Sequence, residues 1–196
     1  MHSMASSAIV RRRSTLRRIT IAAQELTIER GYDGFTLDEL ADRVGVSRRT
    51  LFNHVRGKEE AVLGVRPDFD PVLVDDFRAG GPTGDLFEDL LALIVELLDR
   101  EDADRADAAR FHRLLETNPA LIGRVVKELD AVCAEAVAMA ADRPDEVDPH
   151  RAQVVVSLLG ALIAHAMQEF IREPDVDVGL VDHLRRGVDT ARSLLA

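Results

Sequence analysis

The sequence predicts an all-α protein in two parts, a short N-terminal helix-turn-helix unit and a longer helical C-terminal body. Three observations predict it. Apolar residues recur at steps of three and four, and long period-2 alternation is missing. Aromatic residues make up only 4% of the 196 positions, a poor supply for strands. Charge is also divided along the chain. The formal net charge is -10, which taken alone excludes a nucleic-acid binder. Residues 1–60, however, hold 11 basic and 8 acidic side chains, a net of +3, and the remaining residues carry -13. Arg11, Arg12, Arg13, Arg17 and Arg18 lie within the first twenty residues, which contain no acid.

The elements follow in order. Residues 1–10 are short, mixed and without periodicity, and are expected to be a disordered tail. A helix is expected from Ser14 to Arg30, with Leu16, Ile19, Ala23 and Leu26 on one face and Gly31 as its stop. Thr36 and Glu39 have capping-box spacing, so a second helix opens at Thr36 and buries Leu37, Leu40, Ala41 and Val44. Ser47 is a good N-cap for a third helix reaching about Val55, and Lys58 to Val65 starts a fourth. Residues 66–84 hold Pro67, Pro71, Gly80, Gly81, Pro82 and Gly84 and are expected to be a loose border. Helices are then expected over Asp85 to Arg100, Ala103 to Glu116 and Pro119 to Asp142. Asp148 followed by Pro149 is an N-cap with proline in the first turn, opening a helix to about Arg172. Pro174 ends it, and Asp177 within the short acidic run 175–179 is expected to cap a last helix to Leu195.

Leu37 to Val55 carries the function. A helix-turn-helix needs a small residue where its helices cross, which Ala41 supplies. Its turn needs a residue that tolerates positive φ, and Gly45 follows four positions later. Val46 and Leu51 pack. Arg48, Arg49, Thr50, Asn53 and His54 remain outside. Arginine can grip guanine O6 and N7, and asparagine can grip adenine, so this surface suits a major groove.

The stretch from Gly31 to Glu60, GYDGFTLDELADRVGVSRRTLFNHVRGKEE, strongly resembles the TetR (tetracycline-repressor-like) family of transcriptional regulators. The aromatic after Gly31, the Thr36 cap, the Ala41–Gly45 spacing, the run Phe52 to His54 and the pair Lys58–Glu59 fall in register. The resemblance implies base-edge contacts for Arg48, Arg49 and Asn53. It implies phosphate or flanking contacts for Thr50, His54 and Lys58, and makes Thr36 and Ser47 caps of helices that meet the DNA. Phe52 replaces the usual tyrosine, which removes a hydroxyl-to-phosphate contact and leaves an apolar one. The expected organisation is a tail over 1–10, a helix-turn-helix DNA-binding domain over 11–65, and a helical regulatory and dimerisation domain over 66–196. The DNA partner is expected to be a near-palindromic double-stranded operator.

The body predicts a homodimer. Val154 to Met167 is apolar on every side, so it packs inward on one face and against a partner on the other. Leu158, Ala161 and His165 are its candidate interface residues. The last helix offers Val181, Leu184, Val188, Ala191 and Leu195, a coiled-coil-like seam. The resemblance makes the body a sensor of an unknown small-molecule effector, with Phe87, Leu91, Phe111, Leu115, Met139 and Met167 as candidate lining residues. Repression relieved by that effector is the expected mode, with a ligand-independent DNA-binding regulator as the alternative. A small helical enzyme ranks last, because no nucleophile–base pair, phosphate loop or metal motif stands out, and no cofactor is expected. The single cysteine, Cys133, is expected to be a buried small hydrophobe and fits a reducing cytoplasm. The apolar run of about 14 residues is shorter than a bilayer span, so no membrane partner is expected.

Overall fold

Glycine, proline and side-chain caps set the helix ends in this chain. The computed structural model describes residues 2–65, 69–101, 104–145, 147–173 and 178–195. These form α1 (His2–Arg30), α2 (Leu37–Val44), α3 (Arg48–Phe52), α4 (Lys58–Leu63) and α5 (Pro71–Arg78). They continue with α6 (Leu86–Glu101), α7 (Arg105–Thr117), a 3-10 turn (Pro119–Leu121), α8 (Ile122–Ala141), α9 (Pro149–Arg172) and α10 (Leu180–Leu195). The described residues contain no strand, so the all-α expectation holds.

Three elements differ from expectation. α1 begins at His2, so the backbone of residues 2–10 is helical where a disordered tail was expected. No glycine or proline interrupts residues 2–30, and extending an existing helix costs far less than nucleating one. α5 forms inside the expected loose border. Asp70 caps it, its carboxylate accepting from the Val72 N–H at 2.9 Å, and Pro71 opens its first turn. α3 stops at Phe52, not Val55: Asn53 closes it, and Val55 is drawn into the core at 1% exposure. The proposed Asp177 cap lies outside the described residues, and α10 instead begins with the Gly179 N–H bonded to the Asp182 carboxylate at 3.0 Å.

The chain divides into two compact units, residues 1–66 with 109–125 and residues 67–108 with 126–196. The first unit is thus discontinuous, where a single boundary at residue 65 was expected. Its core explains why. Ile19, Ala23 and Leu26 of α1 pack with Leu40, Ala41, Leu51, Val55 and Val62, and Leu114 and Leu121 complete the cluster. Buried Gln24 is satisfied on both ends: its amide donates to the Val62 carbonyl at 3.1 Å and accepts from Arg110 at 3.0 Å.

The second unit has two clusters. Phe77, Leu86, Leu90, Met139 and Val156 anchor one, and Ala166, Phe170, Leu180, Leu184 and Val188 anchor the other. Cys133 packs half-buried against the first. α9 serves both clusters with Ala152, Val156, Leu159, Ala166 and Phe170. At 24 residues α9 is long and apolar enough to cross a bilayer, so the length argument against a span fails. The buried side of α9 is instead committed to these clusters. A buried Arg143–Asp89 ion pair at 3.0 Å joins the first turn of α6 to the segment after α8, and the same two side chains hold the loop before α6 through the Thr83 N–H and the Gly80 carbonyl.

The expected dimer seam on α10 also needs correction. Leu184 and Val188 are 0% and 1% exposed inside their own chain's core, with Val181 and Ala191 half-buried beside them. Seam-like spacing shows that one face is buried, not which chain buries it. The Leu195 side chain lies outside the described residues.

Candidate nucleic-acid interface

Local sequence chemistry sets the geometry of α2 and α3. The Thr36 hydroxyl accepts from the Glu39 N–H at 3.2 Å, and the Glu39 carboxylate accepts from the Thr36 N–H at 2.7 Å. This reciprocal cap is worth about 1 kcal/mol. The Thr36 N–H and hydroxyl hold the Glu39 carboxyl below its usual range. Gly45 ends α2 at φ 74°, a left-handed conformation that glycine adopts without strain. Ser47 caps α3, accepting from the Thr50 N–H at 3.1 Å, and the two hydroxyls lie 2.8 Å apart. Leu51 is fully buried, so α3 is locked by its inner face.

Its outer face presents Arg48, Arg49, Phe52 and Asn53, all exposed. Arg48 is already engaged: its guanidinium donates to the Asp38 carboxylate of α2 at 2.9 Å and lies 5.6 Å from the Phe52 ring centre. Both charged side chains are more than 60% exposed, so the pair is worth at most about 1 kcal/mol and opens readily to a better acceptor. Asp38 is a residue that sequence reasoning missed, because no helical spacing relates it to Arg48. Asp38→Asn is expected to tighten binding to duplexes of any sequence by removing a negative charge that repels phosphates and competes for Arg48. Fluorescence anisotropy on a random duplex checks this; weaker binding would mean that Asp38 holds Arg48 in its reading pose.

His54 follows α3. Burial and the nearby Arg12 charge push its pKa below the usual histidine value. Lys58, for which the resemblance implies a phosphate or flanking contact, has partners within the chain. Its ammonium donates to the Phe35 carbonyl and lies 4.0 Å from the Phe35 ring centre and 5.3 Å from that of Tyr32. A carbonyl and two aromatic rings give a partly buried ammonium good partners, so here Lys58 clamps α4 to the loop before α2. Arg124 adds to this clamp, pairing with Glu59 and lying 4.8 Å from the Tyr32 ring centre.

Comparison with known proteins agrees with this geometry. Residues 19–64 match the bacterial regulatory proteins of the tetR family. The chain is 30% identical over 150 residues to FasR of Mycolicibacterium smegmatis, an HTH-type transcriptional activator. That match covers 74% of this chain and 67% of the relative. It is 32% identical over 97 residues to YvkB of Bacillus subtilis, an HTH-type transcriptional regulator, covering 46% of this chain and 49% of that one. The chain belongs to the TetR family.

It is a DNA-binding transcription regulator. In this TetR-family chain the matched segment coincides with the helices that present Arg48, Arg49 and Asn53. The six candidate effector residues are divided between the two units. Phe111 and Leu115 pack against the core of the first unit, whereas Phe87, Leu91, Met139 and Met167 join the clusters of the second. Apolar spacing on α7 shows burial but not which core receives it. The second unit has an open groove of about 630 Å³ along α6, where Leu91 and Val95 lie among Glu88, Glu96, Asp99 and Arg185. Of the six, only Leu91 lines it.

Proposed function

We propose that this TetR-family regulator acts in the cytoplasm as a homodimer on a near-palindromic operator and releases DNA when its second unit binds a small molecule. The observation that carries the DNA half is the α2–α3 pair, capped at Thr36 and Ser47, turned at Gly45, with its arginines outward. The dimer half rests on α9. Its outer side carries Val154 at 52% exposure and Leu158 at 37%, with Ala161, Ala164 and His165 exposed beside them. This apolar, small-residue surface favours burial against a second copy. Two copies carry two α3 helices, so the half-sites lie about one DNA turn apart, or a multiple of it.

Leu158→Arg places a charge at the centre of that surface and leaves the chain's own core intact. It is expected to convert the dimer to a folded monomer in sedimentation experiments and to weaken operator binding. A wild type that sediments as a monomer at micromolar concentration would overturn the dimer reading.

Release by an effector follows from linkage. A molecule that binds better to the DNA-incompetent arrangement weakens DNA binding by the difference in its two affinities. Screening for compounds that both raise thermal stability and dissociate the operator complex tests it. If no compound does both, the ligand-independent reading stands. A second reading concerns the sign of regulation, since the relative FasR is named an activator. A promoter reporter with and without the protein decides between repression and activation.

A further inference from the structure

Phe52 is a large aromatic side chain that faces water from α3, at 43% exposure. The core does not need it, because its neighbour Leu51 is fully buried and fixes α3 to the first unit. Arg48 stands four positions before Phe52 and shares its helix face. The Arg48 guanidinium lies 5.6 Å from the centre of the Phe52 ring, so the two side chains form one surface, charged at one end and apolar at the other. Successive base pairs are about 3.4 Å apart along a duplex. When the guanidinium grips guanine O6 and N7, the ring therefore meets the edge of the adjoining base pair. A phenyl ring has no donor and no acceptor, so it cannot pair with the polar atoms of that edge. The apolar feature that a major-groove edge offers is the C5-methyl of thymine. Covering that methyl removes apolar area of both groups from water.

We infer that Phe52 determines sequence specificity by covering a thymine C5-methyl, so that Arg48 and Phe52 together read a guanine and a thymine on adjoining base pairs. The inference rests on the proposed operator reading and adds to it the base that the α3 ring selects. A ring lying against a phosphate or a sugar would be indifferent to the methyl. Deoxyuridine isolates that difference, since it lacks the methyl and keeps every hydrogen-bonding atom of thymidine.

The probe is the duplex that the full-length protein enriches from a random library, remade with each thymidine in turn replaced by deoxyuridine. One thymidine per half-site is expected to be sensitive, its replacement weakening binding about four-fold, the effect of one methyl-sized group taken out of water. That thymidine is expected one base pair from a guanine whose selection is lost in Arg48→Ala. Phe52→Ala is expected to bind the thymidine and deoxyuridine duplexes equally. Phe52→Tyr, which keeps the ring, is expected to retain the difference. Circular dichroism checks that both variants stay folded. A ring with a structural role alone would weaken both duplexes alike and leave the four-fold difference in place. An enriched duplex whose thymine methyls are all dispensable, or a difference that Phe52→Ala preserves, overturns the role of Phe52 and leaves the operator reading standing. Enrichment of no sequence overturns the operator reading itself, and this inference with it.

Discussion

Arg143→Met is expected to lower the stability of the protein by about 3–5 kcal/mol, the loss that follows when one partner of a buried ion pair is removed. Arg143 and Asp89 are both 0% exposed in their side chains. The guanidinium donates to Asp89 at 3.0 Å, to Asp145 at 3.1 Å, and to the Phe77 and Gly80 carbonyls at 3.2 and 3.3 Å, and it lies 4.8 Å from the Phe77 ring centre. Methionine fills similar volume but satisfies none of these acceptors. Asp89 would keep only the Thr83 hydroxyl and N–H, at 2.6 and 2.8 Å. Burial by itself raises the Asp89 pKa, but the Thr83 bonds and Arg143 outweigh it and hold the value below the usual aspartate range. Because that folded pKa is depressed, the stabilisation is present at neutral pH and is lost only as pH falls through the depressed value. Urea unfolding of the two proteins at neutral pH measures the difference. A loss under about 1 kcal/mol would show that the pair does not hold this loop.

Arg48→Ala is expected to cost about 1–3 kcal/mol against the operator, a loss of roughly 5- to 150-fold in affinity, with little change on random DNA. Arg48 is the first residue of α3, and its guanidinium lies 5.6 Å from the centre of the Phe52 ring on the same helix. That contact restricts the side chain before DNA arrives, so less rotamer freedom is lost on binding, while the Asp38 carboxylate competes with DNA for the same guanidinium. The contrast between operator and random duplex carries the claim. Equal losses on both would make Arg48 a phosphate contact and leave base reading to Arg49 and Asn53.

Features set by residues three or four apart were legible in the sequence. The Thr36–Glu39 box, the Gly45 turn and the Ser47 cap each follow from local backbone chemistry, and each formed. α5 shows that such signals can be outvoted. Asp70–Pro71 carries the same opening signal as Asp148–Pro149, but the surrounding glycines and prolines hid it. What the sequence did not reveal depends on contacts between distant elements. Asp38 meets Arg48, Lys58 turns to Phe35, and Asp89 meets Arg143 across 54 residues. Periodicity marked Leu184, Val188, Phe111 and Leu115 as buried but was silent on which surface buries them. The divided charge was legible in the sequence.

Whether α3 reads a symmetric DNA site is tested most directly by selection of bound duplexes from a random library with the full-length protein. An enriched near-palindrome is expected, its half-sites about one turn apart or a multiple of it, and Arg48→Ala is expected to abolish that enrichment. Selection that enriches no motif, or one that Arg48→Ala leaves unchanged, would contradict that reading.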